Sequence, residues 1–137
     1  MRYVYHGSGK KLKYLSPKKP VGDDDPANCK KAVYATAKKR FALAMAASRS
    51  SPDVEAFNNR KTNVQNIVKG WPDESKTVYL YVLDARDFVA DGRGQFLARK
   101  KVVPVRVEEY KVSDLRHLYR KSSRSESRDW LKDREGW

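Results

Sequence analysis

The sequence predicts a mixed α/β (α+β) fold in one compact domain, and three observations carry that prediction. The chain has 137 residues, the size of a single domain. Short stretches rich in Val, Tyr, Leu and Ala recur along it with turn residues between them, as strands do. One further stretch, Ala37–Ser48, places Phe41, Ala44, Met45 and Ala46 at helical spacing.

Arg2–His6 reads as a first strand, with Tyr3 and Tyr5 on one side and Val4 on the other, stopped by the turn signal Gly7-Ser8-Gly9. A basic stretch then runs to Lys19, and Pro20–Pro26, carrying Gly22 and Asp23, Asp24 and Asp25, is loop chemistry. Ala32–Thr36 is a short second strand, and Thr36 is placed to cap the helix Ala37–Ser48. Residues 50–76 are polar and punctuated by Pro52, Gly70 and Pro72, so a long loop or insertion is expected there, with Val64–Val68 a weak strand. Thr77–Asp84 is apolar on both alternating faces, as a buried central strand must be. Gly92-Arg93-Gly94 turns the chain into Gln95–Ala98. Val102–Val112 follows as an edge-like strand, with Val103, Val105 and Val107 on one face and Arg106 and Glu108 on the other. Ser113 is placed to cap a short helical turn ending at His117, which leaves a domain over 1–119 and a charged tail over 120–137. The tail holds one short helix near Ser127–Arg134, and its Trp130 and Trp137 are expected to pack on the body rather than stack on a base.

Composition bounds the function. The AVILMFWYC set makes up 39% of the chain and charged residues 34%, enough apolar material for a core and too much charge for a membrane span. The N-terminal MRYVYHGSGKK has too short an apolar run for a signal peptide, which points to a soluble cytoplasmic protein, expected to be a monomer with no membrane partner. The single cysteine, Cys29, excludes an intramolecular disulfide and a thiolate zinc cluster. The net charge is +13, and it is concentrated in residues 1–50, where 12 basic and 3 acidic side chains give +9. A field of that sign attracts polyanions, so nucleic acid is the expected partner. Lys10, Lys11, Lys13, Lys30, Lys31, Lys38 and Lys39 are the candidate phosphate contacts, since they bracket both the Tyr5-His6-Gly7-Ser8 and Val33-Tyr34-Ala35-Thr36 segments.

These two segments, followed by Gln95-Phe96-Leu97-Ala98, resemble in order the three motifs of the ADP-ribosyltransferase superfamily, across most of residues 3–112. The resemblance implies a split β-sheet with a triad spread over three strands. It assigns His6, Tyr34 and Gln95 as the catalytic set, with Gly7, Ser8, Thr36 and Arg99 as substrate contacts. In that reading His6 holds a sugar hydroxyl or phosphate, Gly7 admits the ligand to the backbone and Tyr34 stacks on a departing base. Glu109 in Glu109-Tyr110-Lys111-Val112 offers a rival third residue, ranked second because it leaves almost no chain for the strand that should follow.

The superfamily's reaction breaks an N-glycosidic bond through a cationic sugar, and its third motif usually begins with a glutamate that binds the ribose 2′-OH. Gln95 supplies no charge, only donors and acceptors. That suits a sugar without a 2′-OH, so the expectation is a DNA-glycosylase-like enzyme excising a base, with DNA favoured over RNA and no cofactor. The alternatives are NAD-dependent transfer of ADP-ribose to nucleic acid or protein, and a non-catalytic nucleic-acid-binding module. No metal is expected, since Asp23, Asp24 and Asp25 lack the ligand spacing of a calcium loop. His117 and Cys29 have no catalytic partner in sequence, and Gly92-Arg93-Gly94 lacks the further glycine of a dinucleotide fingerprint.

Overall fold

The computed structural model describes residues 2–18 and 31–134, with side chains to residue 130. The loop Pro20–Pro26 with its aspartates, Lys19, Cys29, Lys30 and Trp137 lie outside the described residues. The described chain is an α+β domain of nine strands in two sheets. β1 (Tyr3–Ser8), β2 (Val33–Thr36), β5 (Thr77–Asp84), β6 (Val89–Ala90), β7 (Gln95–Ala98) and β8 (Arg106–Lys111) form a six-stranded sheet in the order β6-β7-β2-β1-β5-β8. β3 (Glu55–Asn59), β4 (Val64–Lys69) and β9 (Tyr119–Lys121) form the second, in the order β3-β4-β9. Two α-helices, α1 (Lys39–Ser48) and α2 (Arg124–Arg134), complete the description together with short 3₁₀ turns.

Strand alternation divides the large sheet into two apolar faces. On one, Val78, Leu80 and Val82 of β5 meet Ala42, Ala46 and Ala47 of α1, with Tyr3 and Tyr5 at the margin. On the other, Val4, Val33, Ala35, Tyr81, Leu83 and Ala98 are covered by Leu15, Phe88 and Val102 from irregular segments. β5 is buried on both faces, as its unbroken apolar run requires. The first face is the helix face below, the second the loop face.

Four expectations need correction. Thr36 does not cap α1: the helix starts at Lys39 after Lys38, without a side-chain cap, and the Thr36 hydroxyl instead accepts from Lys38 N. Ser113 likewise does not cap its turn, which begins after Lys111 as a 3₁₀ segment, Val112–Leu118. The 50–76 segment is not one long loop: residues 55–69 form the β3–β4 hairpin, with Asn63 at φ 56 in its turn, and the weak strand expected at Val64–Val68 is β4. β3 went unseen because polar residues fill it. Gln65 is buried against α1 through Ser48, and its amide donates to Asn58. The expected strand Val102–Val112 shortens to Arg106–Lys111, since Val102 is used in a bridge to Leu15 and Pro104 follows.

The tail helix begins at Arg124, earlier than expected, in a capping box. Ser123 Oγ accepts from Glu126 N while the Glu126 carboxylate accepts from Ser123 N. Trp130 packs back as expected, its ring 6.0 Å from that of Phe57 and nearly parallel to it.

Gly7 fixes how closely α1 lies on the sheet. A Cβ there would stand 2.5 Å from the Ala42 carbonyl oxygen and 2.8 Å from the Ala46 Cβ, so helix and strand touch backbone to backbone. At the sheet's other end Glu108 ties the helix start to β8: it accepts from Tyr110, Arg106 and Lys39, which hold its carboxyl down at about 2. Gly7→Ala is expected to destabilise the fold by about 1–3 kcal/mol through overpacking. Gly9→Ala, with nothing within 4 Å of the new Cβ, is the control, expected to change little by comparison in urea denaturation.

Candidate functional site

The strand order places the three motif strands side by side, β7 next to β2 and β2 next to β1. β2 and β7 pair along their whole length, from Val33↔Ala98 to Thr36↔Gln95. β1 pairs with β5 from Tyr3↔Asp84 to Ser8↔Tyr79, yet with β2 at Tyr5↔Thr36 alone. The seam between β1 and β2 therefore opens toward Ser8. The backbone oxygen of Tyr34, beyond that single pair, is taken by a side chain: His6 Nδ1 lies 2.7 Å from it.

A carbonyl oxygen only accepts, so Nδ1 carries the hydrogen and donates it. In the neutral ring Nε2 is then the nitrogen with the lone pair. Burial pushes the His6 pKa below 6.5. The bond to Tyr34 opposes that shift, while the positive charges of Arg49 and Lys18 add to it. The result is a neutral imidazole of fixed tautomer lodged at the seam.

The resemblance places the triad in one cleft, but His6, Tyr34 and Gln95 do not converge on one face of the sheet. His6 projects on the loop face, its ring centroid 6.2 Å from that of Tyr81, its cross-strand partner. Tyr34 and Gln95 fall on the helix face by alternation, opposite to Val33, Ala35, Phe96 and Ala98. What joins the two sides is the open seam and the His6–Tyr34 bond across it. Gln95 brings a second unusual feature: its Oε1 is buried without a hydrogen-bond partner among the described residues, a deficit worth about 1–3 kcal/mol. Its backbone is held in the turn by Asp91, whose carboxylate accepts from Gln95 N.

The remaining predicted residues divide. Gly7 is filled from the helix side, so its missing side chain serves α1 rather than a ligand's approach. Ser8 Oγ accepts from Lys10 N, and Thr36 sits across from both Tyr5 and Gln95. Arg99 lines a shallow hollow of about 590 Å³ at the β6–β7 edge, with Asp87, Asp91, Leu97 and Lys100. His6, Tyr34 and Gln95 do not line it. Glu109 lies on β8, separated from β1 by β5, and its carboxylate pairs with Lys11 at 3.3 Å. Gln95 lies on the strand beside Tyr34.

Lys10, Lys11, Lys13, Lys31, Lys38 and Lys39 are all exposed. Lys39 is engaged by Glu108 at 3.1 Å. Sequence reasoning missed Tyr81, which is fully buried beside His6 while its hydroxyl accepts from Leu12 N and donates to the Lys10 carbonyl. Its alternation within Thr77–Asp84 marks it as core, and nothing in the sequence marks the two backbone groups it holds. Among the described residues no cluster of three His, Cys, Asp or Glu side chains is arranged for a metal, and no helix is long and apolar enough to cross a membrane. No protein-family model matches the chain, and no curated protein or solved structure matches it either.

The ring of His6 is expected to titrate below 6.5 with the proton on Nδ1 in the neutral form, read from histidine ¹⁵N–¹H correlations across a pH series. Because its folded pKa lies below the unfolded value, its contribution to stability is whole above 6.5. It declines as the unfolded ring takes up a proton, and is gone once pH falls through the folded pKa. A midpoint above 6.5 would contradict the buried, Tyr34-bonded placement.

Proposed function

We infer that the chain is an enzyme that cleaves an N-glycosidic bond on nucleic acid, a DNA-glycosylase-like hydrolase in a fold resembling the ADP-ribosyltransferase superfamily. The observation that carries this reading is the neutral His6 imidazole, bonded through Nδ1 to the Tyr34 carbonyl at an open strand seam. The adjacency of β1, β2 and β7, in the order that the three motifs require, supports it.

In this mechanism the lysines hold the phosphate backbone while one nucleotide turns its base out of the stack. The Tyr34 ring provides a flat surface for the base, a contact worth about 1–3 kcal/mol. Water attacks C1′ of the deoxyribose. The C1′–O bond forms, the C1′–N bond breaks, and its electron pair leaves with the base. His6 Nε2 takes the water's proton, which a neutral imidazole with a lowered pKa is able to do. The unpartnered Gln95 oxygen, on the same face as Tyr34, accepts a hydrogen bond from the base edge.

NAD-dependent transfer of ADP-ribose is the second reading. It is favoured by the same His6 nitrogen, because a ribose with free hydroxyls offers it a donor that a DNA phosphodiester lacks. A binding module without catalysis is the third, and the neutrality of Gln95 favours it.

The test is an abasic-site readout on DNA, including DNA with modified bases, run beside nicotinamide release from NAD. Abasic sites formed without NAD support excision, nicotinamide release supports transfer, and silence in both supports the binding module. His6→Ala and Tyr34→Ala are each expected to lower turnover by at least about 10²-fold, with the fold and bulk binding retained. Gln95→Glu is expected to impair excision, and a gain of NAD cleavage in that variant would favour the second reading. Retention on DNA should fall steeply as salt rises, and charge reversal at Lys10 and Lys13 should flatten that dependence.

A further inference from the structure

The loop face carries an apolar strip that the core does not use. Leu15 pairs backbone to backbone with Val102, N to O at 2.8 and 2.9 Å, which lays the segment before Leu15 against the segment around Val102. The side chains next to this bridge stand in solvent: Tyr14 is 44% exposed and Val103 69%, and farther along Leu12 is 37% and Val105 48%. Four exposed apolar side chains on two adjoining segments are more than a scatter of single ones.

The two segments' own charges are all positive, with Lys11 paired to Glu109 of β8. Residues 10–18 carry four lysines, residues 99–105 carry Arg99, Lys100 and Lys101, and neither segment has a carboxylate. The ammonium of Lys101 lies 3.9 Å from the centre of the Tyr14 ring. The strip is also tied to the candidate site. Tyr81, packed beside His6, holds the Lys10 carbonyl and the Leu12 N–H through its hydroxyl.

We propose that this strip is the docking platform for unpaired nucleotides, so that the substrate is single-stranded nucleic acid rather than a duplex. The inference rests on the nucleic-acid reading above and deepens it. Lysines and an arginine suit a phosphate backbone of either strand state. Between strand states, the exposed Leu, Val and Tyr side chains favour unpaired bases, whose flat apolar surfaces a duplex keeps in its stack. Tyr14 is the stacking residue, and Val103 and Val105 widen the surface beside it.

The experiment is fluorescence anisotropy at low salt with a labelled oligodeoxythymidylate and a duplex of the same length. Tighter binding of the single strand, by on the order of tenfold, is expected. Tyr14→Ala should weaken single-strand binding by a similar factor and leave the duplex unchanged, while Tyr14→Phe keeps the preference. Lys13→Glu should weaken both. Thermal melting of each variant separates loss of the platform from loss of the fold. Equal affinity for strand and duplex, or no effect of Tyr14→Ala in a folded protein, overturns this inference alone. Failure of the wild-type chain to bind either form overturns the nucleic-acid reading and this inference with it. Self-association that Tyr14→Ala abolishes, without a strand preference, would assign the strip to a second copy and overturn it too.

Discussion

Everything in the candidate site depends on one hydrogen bond, from His6 Nδ1 to the backbone oxygen of Tyr34. In a continuous ladder that oxygen would be open to a neighbouring strand's N–H, and β1 and β2 would close on each other. With an imidazole in that place, the two strands keep a single registered pair at Tyr5↔Thr36 and part beyond it. The same bond fixes the tautomer of His6. Burial keeps the ring neutral, so one contact shapes the seam and sets the chemistry of the nitrogen left over.

The helix and the loop segments hold this seam from opposite sides. α1 follows β2 almost at once and presses on Gly7 of β1, so the position of β1 against the helix is set by backbone contact rather than by adjustable side chains. On the loop face, Tyr81 of β5 anchors the basic segment that follows β1, and the Leu15–Val102 bridge joins that segment to the stretch after β7. Two cationic segments, distant in sequence, are thereby brought together on the face that His6 occupies. Charge that sequence composition assigns mainly to residues 1–50 becomes, in the fold, a surface shared with Arg99, Lys100 and Lys101.

What could be read from the sequence followed from apolar pattern. Thr77–Asp84, Gln95–Ala98 and the helix ending at Ser48 appear where periodicity and turn residues place them. Of the small sheet only β4 could be read, as a weak strand over Val64–Val68: β3 is Glu-Ala-Phe-Asn-Asn, and the centre of β4 buries Gln65 and Asn66, residues whose burial depends on partners elsewhere in the fold. Asn66 is fully buried with no partner for either side-chain polar atom among the described residues, and no sequence rule anticipates that. For the site, the order of motifs in the chain anticipated three adjacent strands. It did not anticipate the faces: alternation assigns a side only once the register is known, and Tyr5↔Thr36 sets His6 opposite to Tyr34. Gly7 was read as an opening for a ligand, and the same lack of a side chain serves helix packing instead.

The central claim is that the β1–β2 seam holds a sugar and its base on a nucleic-acid strand. It is tested most directly by chemical-shift mapping with an oligodeoxynucleotide that carries a cationic pyrrolidine in place of one deoxyribose, a mimic of the charged sugar. The account predicts saturable shifts at the His6 ring nitrogens, the Tyr34 amide and the Gln95 side-chain amide, beyond those caused by the same strand without the mimic. Identical shifts for the two strands, confined to the lysine-bearing segments, would contradict it and leave the chain a binder of polyanions.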